Sequence, residues 1–480
     1  MTEPPDSFTI YGCFCFSEII VIEQRMSTTG MSDEESLKLS TKIIKVVFVT
    51  LLLDLLGFTL ILPLLPSILD HYAQNEDGIY RSMQNIVDLF REAVGIPLAK
   101  KYNSVLFGGL IGSLFSLLQF VSSPLAGTLS DRYGRRPLLI LATLGLMTSY
   151  AVWAVAQSFS MFLVFRVIGG ISKSNVSLCT AVMADLPCPK ARNRGMAMIG
   201  VAFSLGFTVG PLMGAYFTLN NRITENVYHT PAVLALAFSA ADLVFICLLL
   251  PETLKKDVKT PCSGFRDVRD LLSPLSLFRF SAVTRSTEPP TKERMRRLQV
   301  LGLVYFCYLF LFSGLEFSLS FLTHQRFHFT SMQQGKMFFF IGILMALIQG
   351  GYARRMKPGQ HIQAVSMAIT ILIPAFILIG LSWNLTMLYA GLALYSFAAA
   401  VVVPCLSTLV AEHGSVNQKG TVMGILRSLG SLARAMGPIV SSSVYWIAGA
   451  QTCFLLTAAS FVVPLVLLKS IGRAEEGHED

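Results

Sequence analysis

Gly127-Thr-Leu-Ser-Asp131-Arg132-Tyr-Gly134-Arg135-Arg136 is a basic turn between two long apolar runs, with a single acid among its arginines. Gly127 permits close approach of a neighbouring helix, and Gly134 permits a backbone turn that other residues avoid. Asp131 can accept hydrogen bonds from an arginine or from the amides at a helix N-terminus, and so latch two helices together. A plain solvated loop would use the same arginines only to mark one side of a membrane.

Working outward from this turn, the composition places the chain in lipid. Of its 480 residues, 53% are hydrophobic and 14% charged. Mean hydropathy is +0.60, and soluble domains carry roughly 25% charged residues. A backbone in lipid must satisfy its own hydrogen bonds, which for long apolar runs means helices. The net charge of +9 would by itself fit nucleic acid. The basic residues lie in short loops between apolar runs, however, which is a topology signal and not a nucleic-acid footprint. The nine cysteines show neither metal spacing nor a disulfide framework. No cofactor and no metal are expected, and no nucleophile–base set or nucleotide loop points to an enzyme.

Twelve runs are long enough to span a bilayer, at about 20 residues each. Six lie at 43–66, 103–126, 137–156, 160–182, 195–217 and 231–251; six more lie at 298–321, 334–352, 362–382, 385–408, 420–445 and 450–469. This pattern predicts an all-α membrane protein with one six-helix bundle over 43–251 and a second over 298–469. Residues 252–297 carry eleven Lys/Arg and four prolines and read as a cytosolic linker. Residues 1–42 read as a disordered cytosolic tail and 470–480 as a cytosolic C-terminal tail. Residues 1–40 show no basic segment followed by an apolar run, so no cleavable signal peptide is expected. Arg132, Arg135, Arg136, Lys190, Arg192, Arg194, Arg354, Arg355, Lys357 and Lys419 share one face with the linker. The positive-inside rule makes that face cytosolic, with both termini on it. The loop over 67–102 holds an amphipathic stretch, Ile86, Val87, Leu89, Phe90 and Val94, suited to a membrane surface.

Charges inside the runs are costly and therefore functional candidates. Asp54 lies in the first run, Arg166 and Lys173 in the fourth, two turns apart on nearly the same face, and Asp242 in the sixth. Glu316 lies in the seventh and Arg427 and Arg434 in the eleventh, on one stripe. Each either lines a pathway or neutralises a structural partner, such as Glu316 with one of the two arginines. Gly206, Gly210 and Gly214, at spacing four beside Pro211, form a smooth face for close helix packing and a place for a kink.

The basic turn resembles the loop between transmembrane helices 2 and 3 of major facilitator transporters, G-x-L-S-D-R-x-G-R-R. Gly206-Phe-Thr-Val-Gly210-Pro211-Leu-Met-Gly214-Ala215 resembles that superfamily's antiporter motif, with Ala215 in place of its last glycine. Leu53-Asp54-Leu-Leu-Gly57-Phe-Thr-Leu-Ile-Leu-Pro63-Leu-Leu-Pro66 looks like the first helix of tetracycline/proton antiporters. Arg166 with Gly170 resembles the helix-4 motif of drug/proton antiporters. Gly350-Gly-Tyr-Ala-Arg354-Arg355 and Gly437-Pro438 repeat, in the second half, the positions of the basic turn and of Gly210-Pro211.

The resemblance implies the major facilitator fold, twelve transmembrane helices in two pseudo-symmetric six-helix bundles. It implies a monomer in the lipid bilayer, in the plasma membrane or an internal membrane such as the nuclear envelope. It also implies exchange of amphipathic organic ions, anions favoured, against protons, with Asp54 beside Arg166. The residues alone leave two further functions open: an uncoupled facilitator of a small solute, and a non-transporting scaffold or receptor on a transporter fold.

Overall fold

The computed structural model describes residues 33–61, 64, 68, 72, 78–94, 103–220, 229–254, 273–284, 291–329, 331–352, 355–356, 359–414 and 418–476, and these contain helices and no strand. In chain order the first helices are α1 (Asp33–Thr59), α2 (Gly78–Val94), α3 (Asn103–Tyr133), α4 (Arg135–Ala154), α5 (Phe159–Ser172), α6 (Asn175–Ala184), α7 (Pro189–Asn220) and α8 (His229–Leu249). Then follow α9 (Pro274–Phe278), α10 (Ser281–Thr284), α11 (Lys292–Phe327), α12 (Ser331–Gly351), α13 (His361–Leu381), α14 (Leu385–His413), α15 (Lys419–Ser460) and α16 (Val462–Glu476).

Side chains cap several helix starts. Ser158 accepts from the Met161 amide at 3.3 Å, and Asn384 from the Met387 amide at 2.8 Å. Both use a short polar side chain to satisfy an amide that has no intrahelical partner. The fourth apolar run is two helices, α5 and α6. The eleventh and twelfth runs are joined in α15, whose geometry breaks at Gly449 (φ 83, ψ 164). Only glycine adopts that backbone easily. Outer faces are apolar because lipid is their solvent, so Leu141, Val244, Leu347, Ile447 and Val466 are all exposed.

Nine described helical stretches are long and apolar enough to cross a membrane. Helices α1 and α3 and residues 419–448 of α15, which carry Asp54, Gln119 and Arg427, complete the two bundles. The halves meet where α3 runs along α15 and α7 along α12. At the end carrying the basic turn, α6 also packs against α14 and α15, and α7 against α14. That basic end is closed.

Two expectations change. Residues 33–42 are the first turns of α1 and Ser40 is buried, so the tail does not extend to residue 42. Part of the linker is folded: Leu277, Phe280 and Val283 are buried, and α9 and α10 dock on α15. A Cβ added to Gly302 would meet the Phe280 ring at 2.7 Å, and Phe278 packs edge-on to Phe306 with centroids 5.0 Å apart. The basic composition hid this short apolar anchor. The expected amphipathic stretch falls in helix α2, where Tyr80 lies edge-on to Phe159 at 5.2 Å and Ile79, Ile86 and Leu89 are exposed; the side chains of Val87, Phe90 and Val94 lie outside those described. Residues 1–32, 255–272, 285–290 and 477–480 lie outside the described residues, as does Arg354 of the repeated turn.

Candidate functional site

At the basic end the start of α15 aims its free amides at Asp131. Asp131 Oδ1 accepts from the Gly420 amide at 2.9 Å, and Oδ2 from the Thr421 amide at 2.6 Å and the Thr421 hydroxyl at 2.7 Å. A helix N-terminus carries partial positive charge, so a buried carboxylate there is doubly favoured. Arg135 pairs with Asp131 at 2.6 Å and with Asp185 at 3.0 Å, and donates to the Ser130 hydroxyl at 2.7 Å. Burial pushes the Asp185 carboxyl above its ordinary value, while Arg135 pulls it back.

Glu252 accepts from the amides of Arg135 at 2.9 Å and Arg136 at 3.1 Å, fastening the start of α4 to the end of α8. Gly134 at φ 110 leaves the space that Glu252 occupies. Arg136 donates to the Cys247 carbonyl at 2.6 Å. Arg132 is exposed and rests on the Tyr133 ring. Lys419 reaches across to the Ala184 carbonyl at the end of α6. A Cβ on Gly127 would collide with the Gly420 carbonyl, and one on Gly424 would meet the Ser123 carbonyl at 2.7 Å. The α3–α15 crossing is close because these glycines face each other.

Deeper in the membrane, α5 stops at Ser172 and α6 restarts at Asn175. Lys173 sits in the break, with its ammonium 2.7 and 2.8 Å from the two Asp54 oxygens. The pair is buried, and Asn175 Nδ2 adds a third donor to Asp54 at 3.3 Å. The break frees the Lys173 carbonyl, which accepts from Gln119 of α3 at 3.0 Å. Gln119 in turn accepts from the Ser431 hydroxyl of α15 at 3.0 Å. A polar chain therefore runs from Asp54 in one bundle to Ser431 in the other.

The expected Asp54–Arg166 juxtaposition is corrected here, because Lys173 is the ion-pair partner of Asp54. The non-helical backbone at Lys173 sends its side chain to α1. Arg166 is buried with its guanidinium over the Phe115 ring at 4.5 Å and makes no ion pair among the described residues. Arg427 is buried over the Phe203 ring at 5.5 Å, also without an ion pair among the described residues. Cation–π contact holds such groups without neutralising them. Glu316 is exposed in mid-α11 and interacts with half-buried Arg434 and with Tyr308 and Tyr395, without a direct ion pair among the described residues.

The glycine stripe of α7 faces α1. A Cβ at Gly206 would meet Leu55 at 2.7 Å, and those at Gly210 and Gly214 would strike Thr59 and Leu60. Thr59 donates to the Gly206 carbonyl at 2.9 Å. Pro211 lies inside α7 beside this contact. In the second half Gly437, next to Pro438, meets α11 the same way: a Cβ there would lie 2.5 Å from the Phe310 carbonyl. Asn175, Gln119, Ser431 and Asp185 were not singled out from sequence. The Ser174-Asn175 pair after Lys173 is a helix-start signal that marks the break; the others are lone polar residues with no pattern.

The sequence model described as Major Facilitator Superfamily matches residues 47–438. The chain belongs to the major facilitator superfamily. Major facilitator superfamily domain-containing protein 10 of Bos taurus is 58% identical over 433 residues, covering 90% of this chain and 93% of that protein. The tetracycline resistance protein, class D, of Salmonella ordonez is 25% identical over 409 residues, covering 83% and 89%. The crystal structure of the human organic anion transporter MFSD10 (TETRAN) superposes with a TM-score of 0.86 at 58% identity, covering 89% of this chain and 99% of that one. This major facilitator protein is therefore a multi-pass membrane transporter for small solutes and not an enzyme.

Proposed function

We propose that the protein is a proton-linked antiporter of amphipathic organic anions that works by alternating access. The observation that carries this reading is the charge pattern of the interior. The intramembrane acid of α1 is neutralised by Lys173, while Arg166 and Arg427 lie over aromatic faces with no ion pair among the described residues. Two buried cations without carboxylates suit an anion with apolar bulk. Glu316 and Arg434 complete the lining of the pathway. The name of the human relative, an organic anion transporter, supports the same substrate class.

Protonation of Asp54 would release Lys173, and its deprotonation would recapture it. Because the break at Lys173 reaches Ser431 through Gln119, the ion pair favours the arrangement in which the two halves meet at the basic end. A proton and a substrate that both act on this pair bias one two-state equilibrium. The bundles over 43–251 and 298–469 rock against each other within one monomer. The basic end, both termini and the linker lie in the cytosol, as the arginine asymmetry supports. On this reading the basic end, where Asp131 joins the two halves, is the cytosolic gate.

Purified protein in liposomes tests the proposal. Uptake of a fluorescent amphipathic organic anion is expected to rise several-fold when a pH gradient of the correct sign is imposed. Equal uptake with and without the gradient identifies a facilitator, and no uptake of any anion tested removes the anion reading.

A further inference from the structure

Asp242 takes part in none of the interactions above. It lies in α8, 1% exposed, and neither of its carboxyl oxygens has a hydrogen-bond partner among the described residues. Helix α8 packs against α1, α4 and α7. From α1 it interacts with Asp54 and with Thr50, whose hydroxyl is a neutral donor turned toward it. Lys173 interacts with it from the α5–α6 break, Cys179 from α6 and Tyr150 from α4. Helix α7 brings nothing titratable at this depth, since residues 195–214 contain no acid, base, cysteine or tyrosine. The one cation in this set is Lys173, and both its short contacts go to Asp54.

An ionised carboxylate with no counter-ion of its own and one neutral hydroxyl beside it is costly to bury, whereas a protonated one carries no charge to desolvate and can share a hydrogen bond with that hydroxyl. We infer that Asp242 is a second proton-binding site, holding a proton while Lys173 is paired with Asp54. Two acids then share one lysine, so the proton count belongs to the pair. With Lys173 on Asp54 the pair holds one proton, on Asp242. When Lys173 leaves, Asp54 loses its only ammonium partner and takes a proton from the open side, so the pair holds two. When Lys173 returns, one proton is released. The use of this site in transport rests on the proton-linked reading above; its occupancy does not.

Infrared spectra of the purified protein in lipid, with carboxyl-labelled aspartate at neutral pH, read that occupancy without transport. A buried protonated carboxyl has a C=O stretch that is distinct from carboxylate and shifts in heavy water. The band is expected in the parent and to lose one carboxyl in Asp242→Asn. In Lys173→Met it should gain one carboxyl, as Asp54 protonates. That arm keeps the inference testable should Asp242→Asn not fold. A band that Asp242→Asn leaves undiminished overturns the inference, as does Lys173→Met with an unchanged band. Failure of the parent to respond to a pH gradient in liposomes would reject the antiport reading and leave the infrared result standing.

Discussion

Asp131 gathers two amides and a hydroxyl from the first turn of α15 and an arginine from α4. Hydrogen bonds to charged groups contribute about 1.5–3 kcal/mol each, so this one residue accounts for much of the closure. Asp131→Asn keeps the size and removes the charge. Transport is expected to fall by roughly tenfold or more while the variant reaches its membrane in normal amount; normal transport would reject the latch. The Lys173–Asp54 pair behaves differently because it lies within one bundle. Lys173→Met leaves Asp54 buried and unpaired, which costs on the order of 3–5 kcal/mol. Thermal unfolding in detergent should show a clear loss of stability for that variant and substantial recovery in Asp54→Asn/Lys173→Met. At this scale the sequence marked the right charges but mispaired Asp54. Spacing along an ideal helix put Lys173 on the face of Arg166, and a two-residue break undid that register.

Among the elements, the apolar runs located the helix centres well, since the bilayer sets their length. Their ends were less legible. Helix α1 starts at Asp33, ten residues before its apolar run, and α3 continues to Tyr133 through the basic turn itself. Hydropathy stops at the membrane boundary, whereas backbone hydrogen bonding continues past it wherever the next residues pack. The anchor Leu277–Phe280–Val283 was missed for a related reason: three buried apolar residues are too few to stand out in a basic segment. The α3–α15 crossing gives this scale its prediction. Gly127→Val places side-chain atoms against the Gly420 carbonyl, so the basic end should no longer close. A cysteine at Ser428, now fully buried at 0% exposure, should become reactive from that end in a Gly127→Val background free of native cysteines. Unchanged protection of that cysteine would show that the crossing does not require glycine.

For the molecule as a whole, the repeat was legible because each half keeps its own Gly-Pro position, and both serve one purpose. Gly210 brings α7 onto α1, the helix of Asp54, and Gly437 brings α15 onto α11, the helix of Glu316. The pathway chemistry was only half legible, since Gln119 and Ser431, which join the halves, are uncharged and unremarkable in sequence. Orientation has a direct check: tags at residue 2, at residue 285 and at the C-terminus should bind antibody only after the cytosolic face is permeabilised, and labelling of intact cells would reverse the topology. The central claim is that the Asp54–Lys173 pair ties proton movement to movement of the organic anion. The most direct test compares parent and Asp54→Asn in the same liposomes, following both pH-driven accumulation and gradient-free exchange of a fluorescent organic anion. Loss of accumulation in Asp54→Asn with exchange partly retained is the predicted result, and accumulation against a gradient equal to that of the parent would contradict the account.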